Sequence, residues 1–458
     1  MASVFRRRDT DMTEGSTIRL LVAFAVPLLI GNLFQQLYST VDSVVVGNFV
    51  GKQALAAVGC TTAIVNSLIG LFIGLASGAG VVISQYYGAH DDERLHRTVQ
   101  TAIGMTLVLC VLLTALGVLL TPGMLRLMKT PEDVFDAAAL YLRIYFWGVT
   151  GQLLYNIGAG ILRAVGDSTR PLYFLIFCTL TNTVLDILFV GVFRFGIAGA
   201  AYATILSQAL SAALVLAVLT RSKSAYRVEL GIPRVELPLL GRICAIGIPT
   251  SLQMVITSVS NIFVQSYVNR FGSSAMAGWA AYVKIDGVAF LPIVSLAIAI
   301  TTFVGQNLGA GKFDRVKSAA PRCMGLATAI MVAVLVPLML FAPQLVALFN
   351  SEAAVIEYGT LFIRLISPFY LVTSVNQIYS GALRGAGNTR APMLIMLFSF
   401  VFFRQLYLFT VYRLGGGIVP IGLGYPAGWL MCSVVMLLYY YKGGWLKKYE
   451  EAAPETES

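Results

Sequence analysis

Long apolar blocks separated by short polar stretches run the length of this chain. A helix needs roughly 20 residues to cross a hydrocarbon core. Twelve blocks meet that length, at 18–46, 54–86, 98–121, 136–163, 171–193, 197–220, 241–269, 276–306, 319–349, 355–383, 391–412 and 418–441. The pattern therefore predicts an all-α integral membrane protein with 12 transmembrane helices. The first block follows the polar stretch Met1–Thr17 and runs too long for the apolar core of a cleavable signal. It is read as a first span behind a cytoplasmic tail.

The connections carry unequal charge. Of the 32 Lys and Arg residues, 22 fall on the side of the two termini, six on the other, and four within spans: Arg143, Lys284, Arg364 and Arg404. The positive-inside rule then places both termini in the cytoplasm and the chain in the plasma membrane as a multi-pass protein. This asymmetry accounts for the net charge of +10 without invoking nucleic acid.

The chain also repeats itself. Gln85-Tyr-Tyr-Gly88-Ala89 returns 221 residues later as Gln306-Asn-Leu-Gly309-Ala310, and Leu162-Arg163-Ala-Val-Gly166 returns at the same offset as Leu383-Arg384-Gly-Ala-Gly387. Pro171 and Pro392, Arg143 and Arg364, and Gly51 and Gly272 keep that offset. A constant offset across several spans indicates two homologous halves. Six spans per half is an even number, so both halves enter from the same side. Two six-helix lobes related by parallel pseudo-two-fold symmetry follow, with a substrate cavity. The expected organisation is a tail at 1–17, an N-lobe at 18–220 with the first six spans, a linker at 221–240, a C-lobe at 241–445 and a second tail at 446–458.

Composition narrows the function. Hydrophobic residues make up 57% of the chain and charged residues 12%, roughly half the charged share of a soluble globular protein. The 43 glycines suit closely packed spanning helices. The six cysteines show no CxxC or metal-ligand spacing, so they are read as buried thiols. No Walker A, GxSxG or HExxH sequence occurs. The chain is read as no enzyme, with no cofactor beyond a coupling ion, as a monomer in the bilayer with a small-molecule substrate.

An ionisable group inside a span is costly unless it is paired or faces water, which makes it a functional candidate. Asp42, Asp186 and Asp286 sit well within spans. Gln35 and Tyr38 precede Asp42 by seven and four residues, so the three share a helix face. Asn182 and Asp186 share another at i, i+4. Two carboxylates and an amide in one half can hold a proton or Na⁺. The alternative is a hydrogen-bonded Asp that locks two helices together. Lys284 and Asp286, at i, i+2, point to different faces; with Arg404, deep in the eleventh span, they form a candidate polar set in the C-lobe. Arg143 and Arg364, near span starts, are expected to reach toward the interface. His90 and His96 are placed in a solvated cytoplasmic loop.

The run Gln35-Gln-Leu-Tyr38-Ser-Thr-Val-Asp42 resembles the multidrug and toxic compound extrusion (MATE) family. So do Gly51-Lys-Gln-Ala-Leu-Ala-Ala-Val-Gly59, the two Gln…Gly-Ala loops and the two Leu-Arg-x-x-Gly loops followed by Thr-Arg. The resemblance covers nearly the whole chain. It implies antiport: export of cationic or amphipathic compounds in exchange for H⁺ or Na⁺. One branch of the family has an Asp on the first span, Asn-x-x-x-Asp on the fifth and a Thr on the sixth; here these match Asp42, Asn182, Asp186 and Thr204. Another branch uses a Glu in the seventh span and an Asp in the tenth, where this chain has Thr257 and Thr373. The resemblance thus implies an ion site of Asp42, Asn182, Asp186 and Thr204, a substrate cavity with Gln35, Tyr38 and Asn156, rocking of the lobes, and bending of the first span near Pro27. The runner-up is a flippase for a lipid-linked oligosaccharide, of related architecture. Its pyrophosphate calls for cations, where this N-lobe offers carboxylates. An integral membrane enzyme is a third reading, disfavoured by the missing catalytic signatures.

Overall fold

The computed structural model describes residues 10–128, 130–229, 231 and 233–451; positions 1–9 and 452–458 of the expected tails lie outside the described residues. Regular structure among the described residues is all helix.

The chain forms two compact units whose division falls inside two helices. One unit runs from Val26 to Ser251, and the other combines Met12–Ala25 with the chain from Leu252 onward. The first unit contains most of α1 (Thr17–Phe49), then α2 (Lys52–Gly88), α3 (Asp92–Leu127), α4 (Glu132–Ala164), α5 (Thr169–Asp186), α6 (Gly196–Arg221) and the beginning of α7 (Leu237–Val268). Pro27 in α1 and Pro249 in α7 stand within two residues of the divisions. A proline inside a helix removes one backbone hydrogen bond, so both helices are weakened there.

Local sequence explains the helix starts. Asp91 caps α3 by accepting the Arg94 backbone N–H at 2.9 Å, and Asp92 and Glu93 place negative charge in the first turn. Gly51 and its repeat partner Gly272 precede α2 and α8 (Ser273–Ala289) with φ of 107° and 94°. That backbone region disfavours residues with a Cβ, so glycine stands at both starts.

α4 is the centre of the first unit and packs against α2, α3 and α6. Small residues allow close approach: a Cβ on Gly151 would lie 2.8 Å from the Ala209 nitrogen. Large apolar side chains such as Val111, Leu119 and Trp147 are exposed on the outside, the arrangement expected where the surround is lipid.

The second unit continues through α8, α9 (Leu291–Gly309), α10 (Phe313–Leu340), α11 (Ala342–Ala347), α12 (Ala353–Ile366), α13 (Tyr370–Gly385), α14 (Arg390–Met396), α15 (Arg404–Arg413), α16 (Ile418–Gly422), α17 (Gly424–Lys442) and α18 (Lys447–Glu451). Several blocks that read as single spans are broken. The block 276–306 is divided between α8 and α9, beside Pro292, and 355–383 between α12 and α13 by a 3₁₀ turn, Ser367–Phe369, that contains Pro368. The block 418–441 is divided between α16 and α17, beside Pro426. Proline lacks the N–H that would continue each ladder. Eleven helical stretches among the described residues are long and apolar enough to cross a membrane. α4, 33 residues long, is the further long helix; Arg143, Gln152 and Asn156 dilute its apolar run.

The linker packs on α3 rather than running free. Tyr226 and Val228 are buried, the Glu236 N–H donates to Thr101 Oγ1 at 3.2 Å, and Arg97 pairs with Glu236 at 3.4 Å. His96 belongs to α3, not to a loop, and its ring lies 3.1 Å from the Ala225 carbonyl oxygen.

Candidate functional site

Three helices of the first unit bring oxygen atoms together in an apolar interior. α1 supplies Asp42, α5 supplies Asn182 and Asp186, and α6 supplies Thr204; all are buried, Asn182 and Asp186 completely. The charge of Asp42 reaches Asp186, and both act on Tyr141 of α4. Tyr38 donates its hydroxyl to Thr204 Oγ1 at 3.2 Å. Asp186 is the last residue of α5 before a π-helical stretch, Ile187–Val192. Widened turns of this kind recur at functional sites.

Burial of these groups is uncompensated by the protein. Oδ1 of Asp42, both carboxylate oxygens of Asp186 and both side-chain polar atoms of Asn182 are buried without a hydrogen-bond partner. Neither Asp42 nor Asp186 forms an ion pair with Lys, Arg or His among the described residues. Buried polar groups are ordinarily hydrogen-bonded, so a cluster of such atoms calls for something to bind. The donors are hard oxygens, suited to a proton or Na⁺ rather than a soft transition metal. No group of three or more His, Cys, Asp or Glu side chains suited to a metal occurs among the described residues.

Asp42 and Thr204 of the cluster line a cavity of about 400 Å³ formed by α1, α2, α4, α5 and α6 of this unit, and Asn182 and Asp186 do not line it. That volume lies in the range of small-molecule pockets. Gln35, Tyr38 and Asn156 all line it, as does Pro27. Two contributors escaped the sequence reading. Tyr141 carries no motif, and only packing places it beside the carboxylates. Arg163 was counted among the loop cations; it stands in the last turn of α4 and lines the cavity. Its position seven residues after Asn156 is the signal that could have found it.

The C-lobe candidates are not drawn together in the same way. Lys284 is exposed. Asp286 accepts the Tyr282 hydroxyl at 3.4 Å. Arg404 is buried between the rings of Phe400 and Tyr425, 4.5 and 4.8 Å from their centroids, and donates to Ser260 Oγ at 3.1 Å. No ion pair joins any two of the three among the described residues. Thr257 bonds back to the Gln253 carbonyl at 2.9 Å and Thr373 is buried. A larger cavity of about 580 Å³, lined by Arg170, Arg221 and Lys223 with Asp92, sits at the junction of helix ends and linker, away from the carboxylates.

Apolar helices long enough to cross a membrane thus enclose a buried oxygen cluster beside a cavity. The family model described as MatE matches residues 27–188 and 249–407, and the chain belongs to that family. It is 33% identical over 437 residues to the probable multidrug resistance protein YpnP of Bacillus subtilis, covering 95% of this chain and 97% of that one. It is 25% identical to the probable multidrug resistance protein NorM of Thermotoga maritima, over 93% of each chain. A solved MOP superfamily transporter from Pyrococcus furiosus superposes with a TM-score of 0.89 at 25% identity, over 96% of this chain and 99% of that one. The fold is thus the two-lobed, all-α membrane fold of MATE transporters.

Proposed function

We propose that this chain is a secondary active antiporter that exports amphipathic or cationic small molecules in exchange for H⁺ or Na⁺. The observation that carries the reading is the set of unpartnered buried oxygens on Asp42, Asn182 and Asp186, of which Asp42 lines a drug-sized cavity. Relatives named as multidrug resistance proteins support it. Asp42 and Asp186 bind the ion, and Asn182 and Thr204 act as neutral ligands. Gln35, Tyr38 and Asn156 contact substrate. The same ion cannot leave the cluster without restoring unpaired buried charge, so its release couples to a change of access. Bending of α1 at Pro27 is the accessory motion. The protein works as a monomer in the plasma membrane, with both termini cytoplasmic.

The flippase reading calls for a cationic cavity, and among the described lining residues only Arg163 is cationic. The test is substrate efflux from proteoliposomes under separately imposed pH and Na⁺ gradients. One gradient should drive export, and Asp42→Asn and Asp186→Asn should each abolish that drive at normal protein level. Gradient-driven export by Asp42→Asn equal to that of the parent protein would remove the ion site from this lobe.

A further inference from the structure

Antiport as proposed assigns roles to the carboxylates and to Gln35, Tyr38 and Asn156, and leaves Arg163, at the other end of the cavity, without one. Arg163 is partly buried there, and no hydrogen bond or ion pair engages its guanidinium among the described residues. The neighbouring Tyr155 gives its hydroxyl to the Pro171 carbonyl at 3.2 Å. The five N–H donors of Arg163 are thus left to whatever fills the cavity.

Arg163 and the carboxylates are widely separated. Tyr141, beside Asp42 and Asp186, lies 22 residues earlier on the same helix, roughly 33 Å at about 1.5 Å per residue. One drug-sized molecule does not bridge them, so the two charged ends serve different ligands. The wall between is mixed: Leu28, Val65, Ile69, Leu172 and Leu175 line it together with hydrogen-bonding groups. Gln152 and Asn156 precede Arg163 by eleven and seven residues and share its helix face. Asn32, Gln35 and Gln36 face the cavity from α1. Four tyrosines line it, and no Phe, Trp or Met does among the described residues. A ligand that leaves such groups unpaired loses affinity, because buried donors and acceptors are costly to strand.

We propose that, among amphipathic small molecules, the cavity selects those that bear a carboxylate, zwitterions included, and that Arg163 is the specificity-determining residue that binds it. The proposal rests on the export reading above and adds the substrate class. A guanidinium fork matches both oxygens of a carboxylate, which a lysine ammonium does not. The amide stripe on α4 and α1 then receives the rest of a hydrogen-bonding substrate.

Rhodamine 110, a zwitterion with a free carboxylate, and its methyl ester rhodamine 123 differ only at the group in question. Their affinities for the purified full-length protein are measured by fluorescence polarisation. The parent protein should bind rhodamine 110 at least about tenfold more tightly, the size of a charge-assisted fork contact. Arg163→Gln should erase that preference while leaving rhodamine 123 binding within about twofold, and Arg163→Lys should keep part of it. Equal affinities in the parent protein overturn the proposal, and need no variant to fold. So does an Arg163→Gln variant that weakens both dyes alike, since that is a packing effect. Gradient-driven export of rhodamine 123 without a preference for rhodamine 110 removes this proposal and leaves antiport standing. A carboxylate preference without gradient-driven export does the reverse.

Discussion

Asp167 shows what a carboxylate buried for structure looks like in this chain, and Asp42 and Asp186 do not resemble it. Asp167 accepts the backbone N–H groups of Thr169 and Arg170, both at 3.0 Å, and pairs with the Arg170 side chain at 3.3 Å. Removing one partner of a buried pair costs about 3–5 kcal/mol, because the other is stranded. Asp167→Ala should therefore lower the melting temperature sharply in detergent. Asp42→Asn should leave melting nearly unchanged, since it removes charge where no cation answers it, and should instead remove coupling. A shared loss of stability in both variants would count Asp42 as another structural carboxylate. Asp42→Glu keeps the charge about one methylene out of place, and partial gradient-driven export is expected. Both aspartates were visible in the sequence as charges inside spans. The distinction between them and Asp167 was not, since it depends on which donors the fold brings near.

At the level of elements, the repeated motifs have a physical job that spacing alone did not disclose. Arg242, at the start of α7, donates to Gln85 Oε1 at 2.6 Å and to the Tyr86 hydroxyl at 2.8 Å. Gln306, the repeat partner of Gln85, accepts the Met12 N–H at 2.9 Å just before α1, and Arg315 and Lys312 hold the Met12, Thr13 and Gly15 carbonyls. Each motif thus anchors the chain entering the first helix of a half. Gln306→Ala should strand the buried Met12 N–H, at a cost of about 1–3 kcal/mol, read as a lower melting midpoint. α2 offers a second test. A Cβ on Gly78 would lie 2.5 Å from the Ile243 carbonyl oxygen and 2.7 Å from the Gly247 nitrogen, whereas Gly70 on the same helix has open space. Gly78→Ala should destabilise by about 1–3 kcal/mol, while Gly70→Ala should be neutral or stabilise by up to about 1 kcal/mol. Equal midpoints for the two would deny the tight α2–α7 contact. The π-helical stretches after Asp186 and before Arg404 were not legible at all, because no residue type marks a widened turn.

For the whole molecule, the charge asymmetry of the connections makes a prediction about sidedness. In a background without the native cysteines, a cysteine at Arg270 should react with an impermeant maleimide added outside intact cells. Cysteines at Arg94, Lys223 or Lys312 should react only after permeabilisation, and labelling of any of these three in intact cells would contradict cytoplasmic termini. The sequence by itself determined the class of fold, because the length of an apolar block is set by the bilayer, not by contacts. It also determined the two-fold repetition, since a constant offset survives any packing. Only the tertiary structure decided where apolar blocks break, that α1 and α7 are each divided between units, and that Arg163 of a loop motif lines a cavity. Those outcomes depend on which side chains meet across helices far apart in sequence. Burial without a partner, the property that singles out Asp42 on α1 and Asn182 and Asp186 on α5, depends on what packs around those helices and is written in neither of them alone.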